Sequence, residues 1–184
     1  MSFIYVGRLE EPKGVRTLFE AWKRMGDDAP ELAVCGVGPL EEWCAAQAAG
    51  RHISMKGYVP SDELMRLVAQ SRALILPTLL YEGFPMTIAE AFSVGTPVIC
   101  SDTGNAGSLI TEGVTGWKFQ PGSAEGLADA VRRCLDSGDL SARVRREYED
   151  KYTPEANYRR LWDIYTEVQN ANRSVGNERR KLRH

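Results

Sequence analysis

F3-I-Y-V-G-R-L-E-E-P-K-G-V-R-T-L-F-E-A-W22 decides the fold. Residues 3–6 are a short aliphatic and aromatic run closed by Gly7, which is how a buried strand reads. After the loop, Val15, Leu18, Phe19 and Trp22 recur at helical spacing. Strand, loop and helix then repeat along the chain. Residues 32–35, 53–55, 74–76 and 98–100 read as further strands, mostly ended by Gly, Pro, Ser or Asp, and 117–119 as a weaker sixth. Leu64, Leu67 and Val68 mark a helix starting near Ser61, with Asp62 and Glu63 at the positive end of its dipole. Leu127, Val131 and Leu135 mark a later one. Near-continuously apolar strands alternating with helices predict an α/β fold, a doubly wound, Rossmann-like parallel sheet of about six strands covered on both faces. In such sheets ligands bind beyond the carboxyl ends of the strands, near a topological switch point. Chemistry is therefore expected in the loops that start at Gly7, Gly36, Gly57, Pro77 and Ser101.

A chain of 184 residues, 43% hydrophobic and 26% charged, is one ordinary globular domain with a single substantial core. Its net charge of −2 gives no reason to expect nucleic acid or an anionic membrane as partner. Cys35, Cys44, Cys100 and Cys134 are far apart, with no CxxC spacing, and read as buried, reduced thiols of a cytoplasmic protein. His52 and His184 are the only histidines, so a zinc site or a histidine-activated nucleophile is hard to build. No segment has the length and apolarity of a membrane span, and no signal peptide opens the chain. The start in a strand at Phe3 suggests a domain cut from something longer. From about Ser141 the pattern turns to helices without strands, with Pro154 near a start and Tyr158, Leu161, Trp162, Tyr165 and Val168 following. Residues 1–172 form the expected domain. Residues 173–184 lack apolar periodicity, carry Arg179, Arg180, Lys181 and Arg183 against Glu178, and are expected to be a disordered tail.

The first loop, G7-R-L-E-E-P-K-G14, holds Arg8 and Lys13 where they reach back over the strand ends. Two cations there suit a diphosphate, each with a raw attraction of roughly 4 kcal/mol at short range before desolvation; ordinary surface charges are the alternative. The second loop, C35-G-V-G-P39, falls short of a dinucleotide fingerprint because Glu41 stands where GxGxxG needs its third glycine, so a tight strand-to-helix turn is the plainer reading. The third, K56-G-Y-V-P60, offers backbone groups edgewise to a base, although Tyr58 also suits simple packing. The fourth carries E82-G-F-P-M-T-I-A-E90. Pro85 and the residues after it begin a helix, Glu90 falls within its first two turns, and Glu82 stays in the loop. Because Ile88, Ala89, Ala91 and Phe92 crowd Glu90, its carboxylate is expected to be buried and partnered. The fifth, S101-D-T-G-N-A-G107, is glycine-rich, and Asp102 reads as either a ligand group or a helix-entry residue.

Taken in order, GRLEEPKG at 7–14, GVGP at 36–39, KGYVP at 56–60, EGFPMTIAEAFSVGTPVI at 82–99 and GVTGW at 113–117 resemble the C-terminal, donor-binding domain of family-4 retaining glycosyltransferases of the GT-B fold. The resemblance covers roughly residues 3–170. It implies that Arg8 and Lys13 bind the diphosphate of a nucleoside-diphosphate sugar and that Glu90 binds the ribose. It implies further that Glu82 lies near the transferred sugar, with Gly83, Phe84, Pro85, Met86 and Thr87 engaging sugar and phosphate. Gly7 and Gly36 line the donor site, and Gly57, Tyr58 and Val59 hold the base. No cofactor and no metal are implied. Ser108 stands where many members carry a glutamate, which leaves the contact from the fifth loop open.

The same resemblance implies a missing N-terminal acceptor domain, a glycan or lipid-linked acceptor, and a cytoplasmic location, with a membrane-peripheral one open to the full-length protein. It also implies that Tyr158, Trp162 or Tyr165 exposes apolar area that the whole enzyme covers. The alternatives are a non-enzymatic nucleotide-sugar-binding half working with a separate subunit, or a GT-B epimerase or hydrolase relative, which should carry more catalytic carboxylates and histidines.

Overall fold

The computed structural model describes residues 2–81 and 83–181, with side chains described through 169. It divides into two units, residues 1–147 and 148–184. Among the described residues, six strands form one parallel sheet: β1 (Ser2–Val6), β2 (Glu31–Cys35), β3 (Ile53–Gly57), β4 (Ala73–Leu76), β5 (Val98–Ser101) and β6 (Gly116–Phe119). Their order is β3-β2-β1-β4-β5-β6. All six strands read from the sequence are present, each within a residue or two of its expected bounds. The helices between them are α1 (Val15–Met25), α2 (Glu41–Ala48), α3 (Ser61–Gln70), α4 (Met86–Ser93), α5 (Gly104–Leu109) and α6 (Ala124–Asp136).

The strands are apolar on both sides because both sides are covered. Phe3, Ile4 and Tyr5 point alternately to opposite faces, and all three are buried. β4 and β5 are buried along their whole length. α1 packs against α2 and α6, and α3 against α4. The Phe3 and Trp22 rings meet edge to face at 6.1 Å, and the Trp22 indole donates to the Pro30 carbonyl at 2.8 Å, so its one polar atom is paired inside the core. In α6 the buried stripe is Leu127, Val131 and Cys134, while Leu135 is exposed. The expected seam through Leu135 is thus one residue off. The four cysteines are buried free thiols.

The strand order reverses between β1 and β4, and there the two halves of the sheet interlock. Gly14 closes the 3-10 turn Glu11–Lys13 with φ 70°, in the left-handed region. A Cβ on it would stand 1.7 Å from the Pro77 carbonyl oxygen, so glycine is required by both conformation and space. Next to it, Leu79 N–H donates to the Pro12 carbonyl at 2.9 Å.

After α6 come α7 (Ser141–Lys151) and α8 (Pro154–Lys181). The first part of α7 belongs to the sheet unit, where the Arg145 guanidinium donates to the Ser93 carbonyl. In α8, Tyr158 and Trp162 stack at 6.3 Å, and Tyr158, Trp162 and Tyr165 are all exposed, as expected. The backbone of α8 continues through residues read from the sequence as a tail beginning at 173. The basic side chains of that stretch lie outside the described ones.

Candidate functional site

The carboxyl ends of β1, β2 and β3 enclose a cavity of about 250 Å³. Gly7 and Arg8 after β1, Gly36 and Val37 after β2, and Tyr58 and Val59 after β3 form its wall, with Cys35 and Leu64 behind them. Five residues singled out in separate loops, Gly7, Arg8, Gly36, Tyr58 and Val59, are therefore brought to one place. Gly57 ends β3 just before Tyr58.

Backbone hydrogen bonds hold this wall together. Gly7 N–H donates to the Cys35 carbonyl at 3.1 Å, Leu9 N–H to Val37 at 3.0 Å, and Gly36 N–H to Gly57 at 2.7 Å. A Cβ on Gly36 would lie 1.9 Å from the Gly7 carbonyl oxygen, so two loops touch backbone to backbone. Such a frame depends little on side-chain identity beyond its glycines.

Two features of the Arg8 environment escape a motif reading. The Tyr5 hydroxyl, buried in β1, donates to the Arg8 carbonyl at 2.8 Å and fixes the loop where the strand ends. The sequence signal was a lone phenol in an otherwise apolar strand, whose hydroxyl needs a partner. Arg8 itself is 69% exposed, and its Nε lies 3.3 Å from the Glu10 carboxylate. The Arg8 side of that pair is largely solvated, which weakens it, so the guanidinium is available to a stronger anion.

The Cys35 thiol is pushed up from its ordinary value by burial, with the nearby Lys56 charge opposing the rise. It stays protonated at neutral pH and serves as an apolar wall rather than a nucleophile.

Lys13, Glu90 and the stretch from Gly83 to Thr87 do not line this cavity. They belong to the first and fourth loops, which meet at the Gly14–Pro77 crossing. Lys13 is half-buried at the end of its 3-10 turn. α4 starts at Met86 with Pro85 as its N-cap, one residue beyond the expected start. Glu82 lies outside the described residues, so its expected role is neither supported nor opposed by geometry.

The expected burial of Glu90 is corrected. Ile88, Ala89, Ala91 and Phe92 are buried, but Glu90 faces solvent, and its own carbonyl accepts the Ser93 hydroxyl at 2.6 Å. Neighbours in a helical sequence lie about 100° apart around the axis, so apolar flanks do not bury the residue between them. Glu90 is a carboxylate free to meet a ligand from the solvent side.

The glycine-rich fifth loop is mostly the short helix α5. Thr103 is its N-cap, which leaves Asp102 in the entry turn. Asp102 pairs with Lys118 at 3.8 Å. Ser108, at the position in doubt, turns its hydroxyl onto the Asn105 carbonyl at 2.8 Å. Asn105, which no motif flagged, donates its side-chain amide to the Gly83 carbonyl in the fourth loop. Around that loop Leu79, Leu80, Tyr81, Phe84 and Met86 are exposed.

Among the described residues no group of three or more His, Cys, Asp or Glu side chains is arranged to hold a metal ion. None of their helices is long and apolar enough to cross a membrane.

Residues 2–151 match the family described as Glycosyl transferases group 1. The chain is 32% identical over 158 residues to a glycogen synthase of Mycobacterium tuberculosis (strain ATCC 25618 / H37Rv), a match covering 83% of this chain and 38% of that protein. In structure it is similar to the apo form of the lipopolysaccharide outer core galactosyltransferase WaaB, with TM-score 0.77 and 26% identity, over 90% of this chain and 49% of that one. It is also similar to Anabaena Alr3699/HepE in complex with UDP, with TM-score 0.78 and 17% identity, over 90% of this chain and 48% of the other; at that identity the likeness is one of fold. The chain spans less than half the length of each of these proteins.

Proposed function

Because the chain belongs to the glycosyl transferases group 1 family, we propose that it is the donor-binding half of a retaining glycosyltransferase. That enzyme moves a sugar from a nucleoside-diphosphate sugar to a glycan or lipid-linked acceptor. The observation that carries this reading is the cavity at the ends of β1, β2 and β3, walled by Gly7, Arg8, Gly36, Tyr58 and Val59 and set beside the crossing that leads to α4.

In this reading the base enters between the β2 and β3 loops and meets Tyr58 and Val59. The exposed Glu90 carboxylate accepts hydrogen bonds from the ribose hydroxyls. The diphosphate lies toward the crossing, where Arg8, Lys13 and the amides at the start of α4 face it. Charge accumulates on the departing diphosphate as the glycosidic bond breaks. Groups already oriented toward that charge lower the barrier without reorganising. The two cations carry most of this, since a helix terminus contributes only about 0.3–1 kcal/mol. Glu82 positions a sugar hydroxyl, the acceptor attacks from the face the diphosphate leaves, and no metal takes part. The acceptor side comes from the remainder of a full-length protein, consistent with the 38% of the mycobacterial relative that this chain covers.

Calorimetric titration with UDP, GDP and ADP tests the proposal. One of the three should bind this chain without turnover. Absence of binding by all three would overturn the donor-site reading.

A further inference from the structure

The fourth loop runs from Pro77 to Pro85, and Gly83 stands near its far end. No described atom lies within 4 Å of where a Cβ on Gly83 would be, so side-chain packing does not fix this residue. Its carbonyl is instead held by the Asn105 amide, from a helix twenty-two positions further along the sequence. Asn105 is itself well anchored. Ala106 and Gly107 beside it are buried, and the Cys100 thiol at the end of β5 donates to the Ala106 carbonyl at 3.5 Å. Its own carbonyl accepts the Ser108 hydroxyl. A buried strand end, a short helix seated on it through Ala106 and Gly107, and one amide thus lead to a solvated glycine.

We infer that Asn105 is a positioning residue for the sugar-facing loop. It fixes the backbone at Gly83 and so sets how the site grips the sugar of the donor rather than its nucleotide. The inference rests on the donor-site reading above. The nucleotide cavity is built from the β1, β2 and β3 loops and holds neither Gly83 nor Asn105. Loss of the amide should therefore loosen the sugar side more than the nucleotide side. A hydrogen bond of this kind corresponds to about a five-fold change in an equilibrium constant.

The test compares UDP with UDP-glucose, or the matching pair for whichever base the chain prefers, in wild type, Asn105→Ala and Asn105→Gln. Thermal melting of all three checks that they fold alike. Asn105→Ala should leave the nucleoside-diphosphate affinity within two-fold and weaken the sugar conjugate about five-fold. Asn105→Gln keeps a donor amide and should recover part of that loss. Equal weakening of both ligands, or no change in either, overturns the positioning role while leaving the donor site standing. Failure of the wild-type chain to bind either ligand overturns the donor-site reading itself, and this inference with it.

Discussion

The two sides of the switch point are held by different means. On the proposed nucleotide side, the β1, β2 and β3 loops are joined backbone to backbone, and their contacts require little more than glycine at Gly36 and Gly38 and a paired hydroxyl at Tyr5. On the α4 side, a side-chain amide holds a solvated glycine, and Leu79, Tyr81, Phe84 and Met86 stand exposed around it. A backbone lattice tolerates sequence change, whereas a side-chain brace can be altered by one substitution. In the proposed donor site, the first would suit the common part of a donor and the second the part that differs between enzymes.

The contrast breaks most severely at the crossing between the two sides. Gly14→Ala puts a methyl against the Pro77 carbonyl in a left-handed conformation, and should destabilise the chain by about 2–5 kcal/mol in urea unfolding. Gly50→Ala is the control. Its φ of 71° is equally left-handed, but nothing lies within 4 Å, so only the conformational cost of about 1–2 kcal/mol should remain. Equal losses in the two variants would mean that the close approach at the crossing is not rigid.

Next in size is Arg8→Ala. In the proposed site Arg8 is a charged hydrogen-bond donor to the diphosphate, so its removal should weaken nucleoside-diphosphate binding about 10–100-fold, read by calorimetry, with little change in melting because the side chain is exposed. Unchanged affinity would remove Arg8 from the leaving-group role.

A test of a different kind is set by pH. Burial pushes Cys100 up to about 12, and Cys44 and Cys134 up to about 11, from an ordinary 9.0. Above pH 9 the unfolded chain loses these protons first, so the folded state binds more protons than the unfolded one. Stability should be level below pH 9 and fall as pH rises toward 11–12, by about 1.4 kcal/mol per pH unit for each retained proton. Cys100→Ala should flatten that slope in urea unfolding followed across the range.

The sheet was legible because strands buried on both faces leave an unbroken apolar run, as in Ala73–Leu76, and a glycine or proline usually marks where each stops. The loops that carry the cavity followed from parallel topology alone. What sequence could not give was orientation around short helices. Glu90 sits among four apolar neighbours and still faces water. α5 was signalled only by Asp102 as a helix-entry residue, because its glycines favour loops over helices; its packing overrides that preference. Gly107 leaves room for Asp102, whose carboxylate oxygen would be 2.2 Å from a Cβ there. The Asn105 brace depends on that helix, so it was invisible until the helix was known.

The place of β1 in the sheet also governs the order of assembly. It is the first strand of the chain and is hydrogen-bonded on both edges, to β2 through pairs such as Phe3 with Leu32 and to β4 through Phe3 with Ala73. One edge finds its partner after a single crossover through α1; the other stays open until a much later segment arrives, and such distant pairings are slow to form. The crossing between the β1 and β4 loops does not exist before that second pairing, whereas the cavity at the ends of β1, β2 and β3 does not require it. The diphosphate side of the proposed site is therefore completed after the nucleotide side.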